Sequence, residues 1–271
     1  MDKPVRVKSP PADLKNARIL VTNDDGINAQ GLKICEEIAR KISEDVWVVA
    51  PEHDQSGVSH SLSLNDPLRL RQLGERHYAV KGTPTDCVIM AARNVMPSPP
   101  DLVLSGVNRG RNAAEDVLYS GTIAAAKEAC VLGIPSFALS QAFTSASKQT
   151  PHWKTATEHA PDIIRRVLKQ GIPRDVLVNV NFPDCPPGAV KGISVATQGK
   201  RDAQLLHIDA RHDGRGNPYY WIAYARGVKP AGKNGTDLAA LADDRISITP
   251  LRLDLTDQSF LSKLVELFPT K

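Results

Sequence analysis

Short apolar runs recur along the chain, each ending in polar turn residues and followed by a stretch with helical spacing. Ile19-Leu20-Val21 is the first. It is continuous rather than alternating, which predicts a strand buried on both faces. It stops at Thr22-Asn23-Asp24-Asp25-Gly26, and Ile34, Cys35, Ile38 and Ile42 then repeat at helical spacing. Val46-Trp47-Val48-Val49 predicts the next strand. Strand, polar loop, helix and strand form a βαβ unit, so the two strands are expected to be parallel.

The pattern continues. Thr83-Pro84-Thr85-Asp86 predicts a helix start, with Thr83 as N-cap, Pro84 at the first position and Asp86 at the third. Leu102-Val103-Leu104 predicts a buried strand that ends in Ser105-Gly106-Val107-Asn108. An alanine-rich helix follows from about Thr122 and stops near Gly133. Phe137-Ala138-Leu139 predicts a strand and His152 to Gln170 a helix with Ile163, Ile164, Val167 and Leu168 inward. Val176 to Val180 is a further strand.

Beyond about Thr197 the character changes. Residues 198–218 and 227–237 are polar, and Tyr219 to Tyr224 between them predicts an aromatic strand on a projecting arm. Ile246 to Ile248 predicts a strand, and Thr256 is expected to cap a last helix with Phe260, Leu261, Leu264 and Val265 inward. The fold class is α/β, a three-layer, Rossmann-like and mostly parallel sheet with a C-terminal β-rich arm at about 198–237. Residues 1–16, with three prolines and little periodicity, read as a flexible N-terminal extension to one domain over 17–271.

Composition narrows the classes. The chain has 271 residues, 41% hydrophobic and 24% charged, which fits a soluble globular protein and excludes global disorder. Thirty-four basic against 30 acidic residues give only +4, with no run of five like charges. A nucleic-acid polymer is therefore not an expected partner. With no signal-like apolar segment near the start and no long apolar stretch, neither export nor membrane insertion is expected, and the cytoplasm is the expected location. Cys35, Cys87, Cys130 and Cys185 form no C-x-x-C pair and are expected as buried thiols.

Ligands of open α/β sheets bind outside the carboxyl ends of the strands. That rule selects the loops Asn23–Gly26, Pro51–Gly57 and Ser105–Asn112, all polar and glycine-bearing. Asp24 and Asp25 are the sharpest feature. Adjacent carboxylates repel, and one has its pKa raised unless a cation intervenes. Either one Asp caps the next helix while the other is solvated, or the pair shares an oxygen-loving divalent ion. Tyr119-Ser120-Gly121-Thr122 opens the alanine-rich helix and suits either an ordinary cap or an anion cradle. Glycine-rich dinucleotide and Walker signatures are missing, as is G-x-S-x-G. His53 and His60 lie close enough to the second loop to reach a substrate, and His152 and His159 are expected at the surface.

Ile19 to Leu32, Ala50 to Gly57, Lys81 to Cys87, Ser105 to Asn112 and Leu118 to Ile123, together with Ile246 to Thr256, resemble in order the motifs of the SurE family of survival proteins. The resemblance implies a metal-dependent phosphatase of nucleoside monophosphates, acting on 5′ and often 3′ phosphates, some members also cutting short polyphosphate. It implies one divalent ion, Mg²⁺ or Mn²⁺, on Asp24, Asp25, Ser56 and Asn108. Phosphate would face Asn112, Ser120, Gly121 and Thr122, and Asp24 and Asp25 would be the catalytic pair. It further implies a homodimer or homotetramer with exchanged C-terminal segments, a role the arm suits. Ala113 and Ala114, where the family often has glycine, and the extension at 1–16 depart from the pattern without touching a ligand position. A nucleotide sensor without turnover and a phosphatase of another small phosphoester are the alternatives.

Overall fold

The computed structural model describes residues 14–201, 206–224 and 233–268. In chain order its elements are β1 (Ile19–Thr22), α1 (Gln30–Arg40), β2 (Val46–Pro51), β3 (Arg69–Gly74), β4 (His77–Lys81) and α2 (Pro84–Met90). Next come β5 (Leu102–Arg109), α3 (Asp116–Tyr119), α4 (Gly121–Val131), β6 (Ser136–Gln141), α5 (Trp153–Gln170) and β7 (Val176–Phe182). The rest are β8 (Ile193–Val195), β9 (Leu206–His212), β10 (Pro218–Tyr224), α6 (Asp237–Ala242), β11 (Ile246–Arg252) and α7 (Gln258–Leu267).

Nine strands form one sheet in the order β3-β4-β2-β1-β5-β6-β7-β11-β8. The pairs from β4 through β2, β1, β5 and β6 to β7 are parallel, whereas β3 runs antiparallel to β4 and β11 antiparallel to β7. The continuous apolar runs are explained by burial from both sides. Ile19 and Val21 face a core shared with Leu32, Cys35 and Ile38 of α1 and with Ala160 and Ile164 of α5. Leu20 and Val103 face the opposite core with Cys87 and Val88 of α2 and Ala125 and Ala129 of α4. This is the expected three-layer α/β fold.

The local starts obey their sequence. Thr83 caps α2 in a reciprocal box with Asp86, and Pro84 occupies the first turn. Four strands escaped the pattern: β3, β4, β8 and β9. β3 is exposed along its whole length and β4 is half-buried at its start, so neither gives a continuous apolar run. The aromatic strand β10 pairs antiparallel with β9, a partner the polar composition had hidden. Parts of the expected arm, residues 202–205 and 225–232, lie outside the described residues, as do 1–13 of the expected extension. Leu14–Asn16, the end of that extension, form a 3-10 turn, and Leu14 packs against the core.

The last helix departs from expectation. Asp257, not Thr256, caps it, accepting from the Phe260 N–H at 2.7 Å. Phe260 and Val265 are each 57% exposed, and Leu261 and Leu264 are exposed as well, rather than inward. The spacing identifies an apolar stripe but not what covers it, and among the described residues nothing does. All four cysteines are free and buried. Among the described residues no helix is long and apolar enough to cross a membrane.

Candidate active site at the β1–β5 crevice

After β1 the chain builds outward through β2 to the β3–β4 edge, then returns to lay β5 on the other side of β1. The carboxyl ends of β1 and β5 are therefore a topological switch point, where the diverging loops leave a crevice. Thr22 pairs with Ser105 there. Asp24 and Asp25 leave one strand, and Asn108 lies at the end of the other.

Asp24 is 4% exposed, and its Oδ1 accepts a hydrogen bond from Thr122 Oγ1 at 2.6 Å. Thr122 is in the first turn of α4, whose cap Ser120 accepts from the Ile123 N–H at 3.1 Å. Gly121 lies against the same carboxylate: a Cβ there would be 2.7 Å from Asp24 Cβ and 3.0 Å from its Oδ2. A side chain at residue 121 would fill this space, so glycine lets the helix start reach the acid. Gly121 and Thr122 are thus gathered on Asp24, while Ser120 just before them caps the helix.

Asp25 accepts from the Arg109 N–H at 3.2 Å, which ties it to the end of β5. One residue earlier, Asn108 donates Nδ2 to the Gly110 carbonyl at 3.0 Å, a bond that does not use its amide oxygen. On the third loop, Gln55 N–H donates to the Asp24 carbonyl at 2.7 Å. Ser56 is exposed and donates its Oγ to Asp54 Oδ1 at 2.6 Å. Asp54 is an acid that sequence reasoning left out. Its charge reaches Asp25 and helps raise that carboxyl above its usual value, after the larger effect of burial. Burial first, and Asp25 second, push Asp24 up to about 7.

Asn112 stands apart. It is buried, its N–H donates to Asn181 Oδ1 at 2.8 Å, and its Nδ2 donates to Ser140 Oγ at 2.9 Å. Its carbonyl accepts from Asn179 and Asn181. It is locked into a polar network at the ends of β6 and β7, a role that residues so distant in sequence do not announce. Of the histidines near the second loop, His53 is exposed and His60 meets Glu128 of α4.

The donor set fits a divalent cation. Two crowded, desolvated carboxylates lie at the crevice, and the buried Asn23 Oδ1 beside them has no hydrogen-bond partner. Among the described residues no three His, Cys, Asp or Glu side chains gather. A cation here would be completed by the neutral oxygens of Ser56 and Asn108, a set that suits Mg²⁺ or Mn²⁺ rather than Zn²⁺.

The raised Asp24 pKa has a stability consequence. A carboxyl whose folded value exceeds its unfolded value favours the folded state only while protonated. The metal-free chain is therefore expected to gain stability as pH falls from about 8 through 7 toward the ordinary carboxylate range. In chelator, the thermal midpoint of the parent should rise by a few degrees between about pH 8 and about pH 5.5 relative to that of Asp24→Asn. Parallel pH profiles for the two proteins would contradict the assignment.

The fold and this crevice define an α/β protein with an acidic, cation-suited site at the carboxyl edge of its sheet. The chain belongs to the SurE family: the family model described as survival protein SurE matches residues 19–205. A protein of Rhodopseudomonas palustris strain TIE-1 called 5'-nucleotidase SurE is 64% identical over 249 residues, 91% of this chain and 98% of the relative. One of the same name from Bradyrhizobium sp. strain ORS 278 is 62% identical over 249 residues, 91% and 98% of the two chains. The crystal structure of the SurE protein from Aquifex aeolicus superposes with a TM-score of 0.77 at 37% identity, covering 92% of this chain and 99% of that one.

Proposed function

We propose that this chain hydrolyses nucleoside monophosphates to nucleoside and phosphate, as a 5′-nucleotidase that also accepts 3′ phosphates and short polyphosphate. We assign it one Mg²⁺ or Mn²⁺ on Asp24, Asp25, Ser56 and Asn108. The observation that carries the reading is the seating of the α4 start on Asp24, which brings an anion-suited helix terminus to a cation-suited acid. The 5′-nucleotidase names of relatives above 60% identity support the substrate class.

When bound, the ion supplies Lewis-acid polarisation of the phosphoryl oxygen. The protein's own groups do the rest. Asp24 and Asp25 balance the cationic charge, and Thr122 fixes Asp24 in one orientation. The N–H of Gly121 at the helix start offers a donor to phosphoryl oxygens, with the helix dipole favouring the charge that develops, while the Thr122 N–H serves Asp24. Because Asp24 is assigned to the ion and a cation-bound carboxylate is a poorer nucleophile, water rather than this carboxylate is the proposed nucleophile.

Phosphate release from AMP, GMP and an aryl phosphate, with Mn²⁺ and then with EDTA, tests the proposal. Mn²⁺-dependent release from the nucleotides is expected. Release from the aryl compound alone would move the chain to another phosphoester, and no metal-dependent release would leave a binding protein. A cytoplasmic site of action and a homodimer or homotetramer belong to the same reading. The exposed Tyr220, Trp221 and Ile222 of β10 and the stripe of α7 support assembly. Light scattering at micromolar concentration is expected to report more than a monomer, and a monomer alone would refute assembly through these surfaces.

A further inference from the structure

The segment that carries Ser56 has no regular structure between β2 and β3, yet it is fastened along its length. Ser59 adopts a φ of 55°, a left-handed conformation that residues with side chains seldom hold without support. Its support is the end of α3: Ser59 N–H donates to the Tyr119 carbonyl at 3.1 Å and Ser59 Oγ to the Leu118 carbonyl at 2.8 Å. The next residue, His60, places Nε2 3.0 Å from Glu128 Oε2, two turns into α4. Further on, Thr83 Oγ1 donates to the Ser61 carbonyl and Ser63 N–H to Asp86 Oδ1.

The first two fastenings go to the α3–α4 corner, which also presents Ser120, Gly121 and Thr122. The loop that offers a cation ligand and the helix start that offers phosphate donors are thus held to one another directly. Glu128 is only 9% exposed on a largely buried, alanine-rich helix, and a carboxylate there is costly without a partner. Its hydrogen-bond partner is His60, from the Ser56 loop. Ser56 itself is exposed and, among the described residues, hydrogen-bonds Asp54 of its own loop, so its position depends on the anchors on either side: Gln55 N–H on the Asp24 carbonyl before it, and the Ser59 and His60 contacts after it.

We propose that His60 and Glu128 are positioning residues: their contact holds the Ser56 loop against α4, so that Ser56 meets the divalent ion at a fixed distance from the phosphate cradle. This rests on the reading of Ser56 as a cation ligand. The pair touches neither ion nor phosphate and acts through the loop, as outer partners of metal ligands do.

The test is Mn²⁺ binding by calorimetric titration of the full chain, with activity followed against Mn²⁺ in parallel. His60→Ala and Glu128→Ala are each expected to weaken Mn²⁺ binding by roughly ten- to a hundredfold, the usual range for outer-shell partners. The double variant should be no weaker than either single one, because both remove the same contact. Raising Mn²⁺ should recover the lost activity, and His60→Gln, whose amide N–H can still reach Glu128, should restore most of the affinity. A purely structural role would lower the melting point without moving Mn²⁺ affinity. Unchanged affinity in both alanine variants, or additive losses, overturns the inference. Ser56→Ala separates the two levels. If it weakens binding while His60→Ala does not, only the positioning role fails; if it leaves binding intact, the ligand reading of Ser56 fails and the inference with it.

Discussion

Asp24→Asn is expected to reduce metal-dependent phosphate release by about a thousandfold or more, equivalent to about 4 kcal/mol of lost transition-state stabilisation. The substitution is nearly isosteric, and the amide oxygen of the new residue can still accept from Thr122 Oγ1. What disappears is one of two charges that would balance the ion. In the metal-free protein that charge is a liability, buried and beside Asp25, so the variant should fold and melt no lower than the parent above about pH 7. Circular dichroism and a Mn²⁺-dependent assay on one preparation decide it. An unfolded variant would make the acid structural, and a fully active one would remove Asp24 from the reaction.

Gly31→Ala is expected to cost about 3 kcal/mol of stability, at the upper end for overpacking in a core. A Cβ at this position of α1 would lie 1.9 Å from the Val107 carbonyl oxygen. That atom is backbone, in the middle of a nine-stranded sheet, and cannot swing aside as a side chain can. Val107 directly precedes Asn108, so any folded fraction should also bind Mn²⁺ less tightly. Urea midpoints give the answer, with Gly188→Ala as the control, since a Cβ at Gly188 meets nothing within 4 Å. A midpoint equal to the parent's would mean that α1 is not seated on β5 as described.

The central strands were legible because burial on both faces writes a continuous apolar run, as in Ile19–Val21 and Leu102–Leu104. The capping box at Thr83 and Asp86 was legible for a similar reason: its chemistry is local. The edge strand β3 was not, because an exposed strand needs no apolar run. Nor was the exposure of α7, since periodicity marks an apolar face without saying whether this chain covers it. The site divides in the same way. Asp24, Asp25 and the Ser120 cap stand out as turn chemistry at strand and helix ends. Asp54 was overlooked because one acid in a polar loop looks solvated. The meeting of His60 with Glu128, and of Asn112 with Asn179 and Asn181, spans more than sixty residues each, and only the packed sheet brings them together.

The placement of β11 sets an order on how the molecule is made. It lies between β7 and β8, antiparallel to one and parallel to the other, although it is the last strand among the described residues. Until Ile246–Arg252 leaves the ribosome, β7 presents an open edge and β8 has no neighbour in the sheet. Asn179 and Asn181, which anchor Asn112, belong to that unfinished edge. A nascent chain can thus assemble the crevice between β1 and β5 early, yet its far wall stays unsupported until the C-terminal strand arrives. A stop codon before residue 246 would therefore remove one strand, orphan a second and leave a long aggregation-prone edge, rather than trimming a dispensable tail.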